Sequence, residues 1–309
     1  MKNLLKTFSP NLNYYKMKNK KTLIKNLIFI LTFLGTISFS QNKAYAEESP
    51  DCPDPSTTTI TSIADRGDAT SFYALTGGGF CKGTPDEYGV TVYKMGFCTK
   101  NPANPTGSSV RTGSAPDYSS CSWTFEKSTG EAASFSAGGS LDLSETYASD
   151  PAAGTYPYAV MIISKDFNIK GKFGPVGGNT YYSTSTFQTS STDISDYATT
   201  EAPLNTFGGS GECVAYTEGE TVTDGTISAY LLNSSGILLD SDSSLSECSG
   251  QEKLLGVMKM SSDLTISDAT AGLKMTFTVT NNGMSVVTNS AGTDIFVDSG
   301  PFSVKFETF

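Results

Sequence analysis

The chain has 309 residues, 38% of them hydrophobic and 17% charged, with 31 acidic against 21 basic side chains, six cysteines, one tryptophan and no histidine. Without histidine, no Ser-His-Asp or Cys-His catalytic arrangement and no His-ligated zinc site can form within it; acid–base work would fall to carboxylates, Lys, Tyr or Cys. The formal charge of -10 averages two unlike segments, because eight of the basic residues lie in 1–46, where there is no Asp or Glu.

Those first residues have the three parts of a secretory signal. Lys18, Lys20, Lys21 and Lys25 form a basic stretch, residues 27–37 an apolar run, and Ala44-Tyr45-Ala46 supplies small residues before Glu47. The run is too short to span a bilayer comfortably. The expectation is a leader over 1–46, cut after Ala46, and the signal is also complete when read from Met17. Ser49-Pro50-Asp51 before Cys52 is not a lipobox, so no lipid anchor is expected there. The other 263 residues carry 13 basic against 31 acidic side chains, a charge of -18. Such a surface is repelled by phosphate backbones and anionic lipid, so nucleic acid is not an expected partner.

All six cysteines, Cys52, Cys81, Cys98, Cys121, Cys213 and Cys248, follow the leader. An even count in an exported chain predicts three disulfides and an extracellular or cell-surface location. Six cysteines allow 15 connectivities. Locality favours Cys213–Cys248, with the other four pairing among themselves. No C-x-x-C pair occurs, which leaves a thiolate metal site without support.

Ser and Thr supply 73 of the 263 residues, a composition that disfavours helix because short hydroxyl side chains compete for backbone groups. Alternation of period two predicts strands instead. In chain order, residues 56–63 are polar and extended around Ile60 and Ile63. They suit a strand of the protein's own sheet, a tail, or a strand donated to a neighbouring subunit. Residues 88–98 are β-prone, and Lys94 sits inside that apolar run. Cys121, Trp123 and Phe125 alternate with polar neighbours, as do Tyr156, Tyr158, Val160 and Ile162. Residues 167–169 and 181–187 read as a pair joined by the glycine-rich 171–178. Residues 226–232 and 237–239 flank a turn at 233–236. Leu273, Met275, Phe277 and Val279 alternate with polar residues up to Asn282-Gly283, which predicts a tight hairpin returning through Met284, Val286 and Val287. Phe302, Val304 and Phe306 close the chain. Counting back in twos from Phe309 gives Glu307, Lys305 and Ser303, which cannot face lipid, so the mature chain is not expected to insert in a membrane.

Many short strands with turns between them predict an all-β fold, an antiparallel β-sandwich. Residues 191–205 are polar and poor in aliphatics, which predicts two sandwich domains, 47–190 with four cysteines and 206–309 with two.

Candidate chemistry is sparse. Asp240, Asp242 and Ser244 alternate oxygen ligands as a calcium loop does, but Leu245 and Gln251 stand where the turn glycine and bidentate glutamate belong. Glu126, Glu131, Asp142, Glu145, Glu212, Glu218 and Glu220 could pair as in a glycoside hydrolase, yet none lies in a distinctive motif. Lys94 could become a nucleophile if buried, as in an intramolecular isopeptide bond, or lie along the polar side of a strand. Gly154-Thr155-Tyr156, followed by an alternating strand and preceded by Leu141-Asp142-Leu143, resembles the Gly-x-Tyr start of a strand in prealbumin-like and Cna-B-like extracellular sandwiches. The likeness covers residues 88–163. It implies a sandwich with a surface role and brings no catalytic residues.

The expectation is therefore an exported, non-enzymatic structural or adhesive protein without a cofactor, its partners being copies of itself or surface glycans. A carbohydrate-binding module is the alternative, for which Tyr93, Tyr156, Tyr158, Tyr181 and Tyr182 would form an exposed platform. A carboxylate-dependent hydrolase comes third.

Overall fold

The computed structural model describes residues 50–65, 67–135, 151–208, 211–222, 224–270, 273–289 and 291–308. One four-residue helix, α1 (Phe72–Leu75), lies among them, capped by the Ser71 hydroxyl, which accepts from the Ala74 N–H. Everything else regular is strand or short 3-10 turn, and all named strand pairs are antiparallel. The fold is all-β, as the alternation predicts.

A curled half-barrel sheet of eight strands forms the frame. Its strands are β2 (Glu87–Cys98), β3 (Cys121–Phe135), β4 (Gly154–Ser164), β5 (Asp166–Lys170), β9 (Thr200–Pro203), β10 (Tyr216–Val222), β11 (Gly225–Asn233) and β12 (Gln251–Ile266). β4 and β5 follow one another along the same edge of β2, and β3 covers the other edge. β12 pairs with β4, β11 with β12, and β10 closes that side. Three smaller sheets complete the structure. One is β1 (Phe80–Gly83), β14 (Met284–Thr288) and β15 (Ile295–Ser299). Another is β6 (Lys172–Val176), β7 (Asn179–Ser183) and β8 (Ser190–Ser191). The last is the pair β13 (Leu273–Thr278) and β16 (Ser303–Thr308).

The central strands are buried on both faces, which explains their nearly continuous apolar runs. On one face Leu231, Leu254, Ile163 and Val92 lie in register. On the other, Val257 and Val160 pair beside Leu255 and Ile162, covered by Ala103, Val110, Tyr118 and Leu238 from the connecting loops. β12 is the longest strand among the described residues and carries no clean alternation, the pattern by which a strand shows in sequence. Its register with β4 breaks between Lys259 and Leu264, opposite Pro157, a residue with no N–H to give a ladder.

Three expectations from the sequence differ from the structure. The two halves are not separate domains: β10, β11 and β12 hydrogen-bond into the sheet founded by β2 and β4, and all described residues belong to one compact unit. The polar stretch 191–205 is not a domain boundary: it contains β9, which pairs with β5 through Thr200 and Ala202, both buried. The hairpin at Asn282-Gly283 does not form either. β13 pairs with β16, and β14 lies between β1 and β15. A type I′ turn needs positive φ at both central residues, but the positive φ of 55° falls at Asn281. Gly283 serves close approach instead, since a Cβ there would stand 2.6 Å from that of Val279. Finally, Phe167 and Ile169 do not pair with the strand at Tyr181; the glycine-rich linker supplies β6, which takes that place.

Candidate functional site

The concave face of the half-barrel does not fill its own volume. A cavity of about 690 Å3 lies between it and the segment 298–306. Its floor follows from register. Thr217, Ala229, Gly256 and Met161 form one row across four strands, and Ile227, Met258 and Ala159 form the next. Two positions in the centre of the first row are small. A Cβ built on Gly256 would meet nothing nearer than the Met161 carbonyl oxygen at 3.9 Å, so no close approach demands glycine there. The empty volume is a consequence of Ala229 and Gly256 where neighbouring rows carry Met and Leu.

The roof is aromatic. Phe302 lies 5.8 Å from Tyr88 and 5.6 Å from Phe277, and Phe306 meets Phe97 edge-on at 5.0 Å. Tyr88 is 1% exposed; its hydroxyl donates to the Gly300 carbonyl at 3.2 Å, and burial pushes its pKa well above the ordinary phenol value. These contacts fix the 298–306 segment over the sheet.

Polar groups enter from the β1–β14–β15 sheet. Lys82 pairs with Ser285 and Ser285 with Asp298, so the three stand side by side, and all line the cavity. Cys81, Val286 and Val297 alternate with them and enter the core. Ser285 is 6% exposed. The Asp298 carboxylate accepts from the Ser299 N–H at 2.6 Å, while burial raises its pKa. Lys82 makes no ion pair among the described residues. This row is not legible in the sequence. Its only signal is one polar residue inside each short apolar run, which no local pattern assigns to a common site.

The residues singled out from sequence are distributed elsewhere. The cysteines form Cys52–Cys81, Cys98–Cys121 and Cys213–Cys248, the last being the pair locality favours. Lys94 Nζ pairs with Glu126 at 2.5 Å and lies 5.3 Å from the Trp123 ring centre, along the polar side of its strand. Lys127 pairs with Glu131 at 3.3 Å. Glu218 accepts from the Tyr230 hydroxyl at 2.8 Å, and Glu220 from Thr217 Oγ1 at 2.9 Å. Of the carboxylates considered for hydrolysis, Glu220 alone among the described residues lines the cavity. Glu212 lies on the loop before Cys213, where its carbonyl accepts from Thr206, and Asp142 and Glu145 lie outside the described residues. Asp242 turns its carboxylate onto the Ser244 N–H at 2.8 Å and hydroxyl at 2.7 Å, a turn rather than a ligand array. Among the described residues no group of three or more His, Cys, Asp or Glu is placed to hold a metal.

The tyrosines do not converge. Tyr156 and Tyr181 are buried, while Tyr93, Tyr158 and Tyr182 are half-buried. Lys253 Nζ covers the Tyr93 ring at 4.2 Å. Tyr156 packs against Phe97 and donates to the Ala152 carbonyl at 2.7 Å. Residues 56–63 dock on their own chain: Ile60 is 3% exposed and bridges Val176 in parallel. No family model, curated protein or solved structure matches the chain.

Proposed function

We propose that this chain is an exported, disulfide-stapled, non-catalytic binding protein that holds an elongated apolar molecule between its half-barrel sheet and the 298–306 segment. The observation that carries the reading is the cavity of about 690 Å3, floored by Met161, Met258, Ile227 and Ala229 and roofed by Phe302 and Phe306. Its volume is that of an ordinary small-molecule site, and few polar groups among apolar walls is the usual composition of one. Closed barrels of about eight strands can hold one small ligand inside their sheet, and the half-barrel offers the same concave surface. The basic and apolar leader, the surplus of acidic side chains and the three disulfides support export of the chain.

Self-assembly and glycan binding have less support. The segment suited to strand donation is held by its own chain through Ile60. Two of the five tyrosines suited to a sugar platform are buried.

The test uses the oxidised chain and the fluorescence of N-phenyl-1-naphthylamine, an uncharged dye that brightens in apolar surroundings. The expected result is saturable binding of about one dye per chain. Gly256→Val should abolish it while leaving the fold intact by circular dichroism, because the added side chain enters open space. Full binding by Gly256→Val, or no binding by the native chain, would overturn the reading.

A further inference from the structure

The geometry points to the chemical class of the occupant: an amphiphile with a single long apolar tail and an uncharged, hydroxyl-bearing head held by Lys82, Ser285 and Asp298. This rests on the cavity reading above and adds the end at which the ligand is polar. The three residues lie in one register row, Lys82↔Ser285↔Asp298, at a cavity wall whose other surfaces are largely apolar. Adjacent antiparallel strands are about 4.8 Å apart, so the row presents polar atoms over roughly 10 Å. That is the span of a small polyol head and wider than one carboxylate needs.

The donor and acceptor inventory selects the head. The Lys82 ammonium only donates, the Asp298 carboxylate only accepts when ionised, and the Ser285 hydroxyl does both. Their hydrogen-bonding capacity is largely unspent. Among the described residues the Ser285 hydroxyl takes no partner, Lys82 has no carboxylate within 4.0 Å, and Asp298 receives the Ser299 N–H. A ligand that offers both a hydroxyl donor and an oxygen acceptor satisfies both ends of the row. A fatty carboxylate offers acceptors alone, so it leaves Asp298 opposite a like charge. The acidic surplus of the chain adds repulsion on approach. A fatty ammonium has the reverse fault at Lys82. An uncharged polyol head has neither.

Three ligands of one tail length separate the possibilities: monolauroylglycerol, methyl laurate, which lacks the hydroxyls, and laurate, which is anionic. Each is titrated against bound N-phenyl-1-naphthylamine on the oxidised full chain. Monolauroylglycerol should displace the dye at about tenfold lower concentration than either of the others, the effect expected of one or two well-made hydrogen bonds. In Ser285→Ala and Asp298→Asn the ratio between monolauroylglycerol and methyl laurate should shrink about 3- to 10-fold. Because this ratio is taken within one variant, loss of folded protein cannot mimic it. Tightest binding by laurate, or an unchanged ratio in both variants, would overturn the assignment of the head while leaving the cavity reading in place. Failure of all three to displace a dye that does bind would locate the dye elsewhere and overturn both.

Discussion

At the scale of single residues, Asp298 stands apart from the turn aspartates, because burial raises the pKa of its carboxyl while theirs are lowered. Removal from water disfavours its ionised form, so its carboxyl binds a proton more tightly in the folded chain than in the unfolded one. The folded state therefore gains stability at low pH, and loses it as pH rises from about 3.9, the unfolded value, through the raised folded value. Asp298→Asn removes that cost. Urea titrations should find the variant more stable than the parent at pH 7, with the difference shrinking below about pH 4. A variant less stable than the parent at pH 7 would mean that the ionised carboxylate is well compensated by the Ser299 N–H. Leu255 gives the complementary case of a purely apolar residue. It is fully buried in the layer with Ile162 and Tyr230, and Leu255→Ala should cost about 2–5 kcal/mol by the same measurement.

At the scale of elements, the turns share one device. Asp54, Asp68, Asp117, Asp193 and Asp242 each accept the N–H of a Ser or Thr two residues on. Ser and Thr hydroxyls, which contribute most at all of them but Asp193, and these N–H bonds together stabilise the ionised form, so each carboxyl titrates below its ordinary value. The stability they contribute is present above about pH 3.9 and is lost as pH falls through their lowered folded values. Replacing the five by Asn should flatten the acid limb of the stability curve. The Cys213–Cys248 bridge works at the same scale, closing residues 35 apart in sequence across the loop that contains β11. Replacing both cysteines by Ser should lower the free energy of unfolding by about 2–4 kcal/mol in a urea titration.

These elements also mark how far the sequence could be read. Strand existence was legible wherever one face is wet, as at Phe167 to Ile169, or where an apolar run is long, as in β2 and β4. Partner choice was not. β13 and β14 looked like a hairpin because Asn282-Gly283 is a strong local signal, but their ladders are taken by β16 and by β1 and β15, decisions made far along the chain. The same limit hid the candidate site. Lys82 and Asp298 are more than 200 positions apart, and only the place of Ser285 between them in the sheet makes them neighbours. Nothing in the residues around Gly256 announced a cavity floor, since a glycine in an apolar run reads equally as a bulge or a close contact.

At the scale of the whole molecule, the two long edges of the half-barrel decide whether copies of the chain can add to one another. An exposed, flat edge is a template for pairing, and bulges and charges are what blunt it. β3 leaves its register with β2 between Val92 and Lys94, where residues 127–130 bulge out and Lys127 pairs with Glu131. Gly130 has φ +73°, and a Cβ there would stand 2.4 Å from Thr91 Cγ2, so the bulge depends on glycine. β10 breaks register between Thr217 and Glu220, with Gly219 at φ +79° between Glu218 and Glu220. Both edges thus carry a kink and ionised side chains, and the acidic surplus of the chain opposes close approach of copies further. Light scattering coupled to size exclusion should find the oxidised protein at the mass of one chain. Deleting residues 128–130 leaves Lys127 opposite Tyr93 and removes this bulge from the β3 edge, and that variant should shift toward dimers or larger species at the same concentration. Ordered polymers of the unaltered chain would refute the edge argument and return self-assembly to first place. A monomer in both cases would leave the cavity intact and assign the protection to net charge, which raising the salt concentration would then remove.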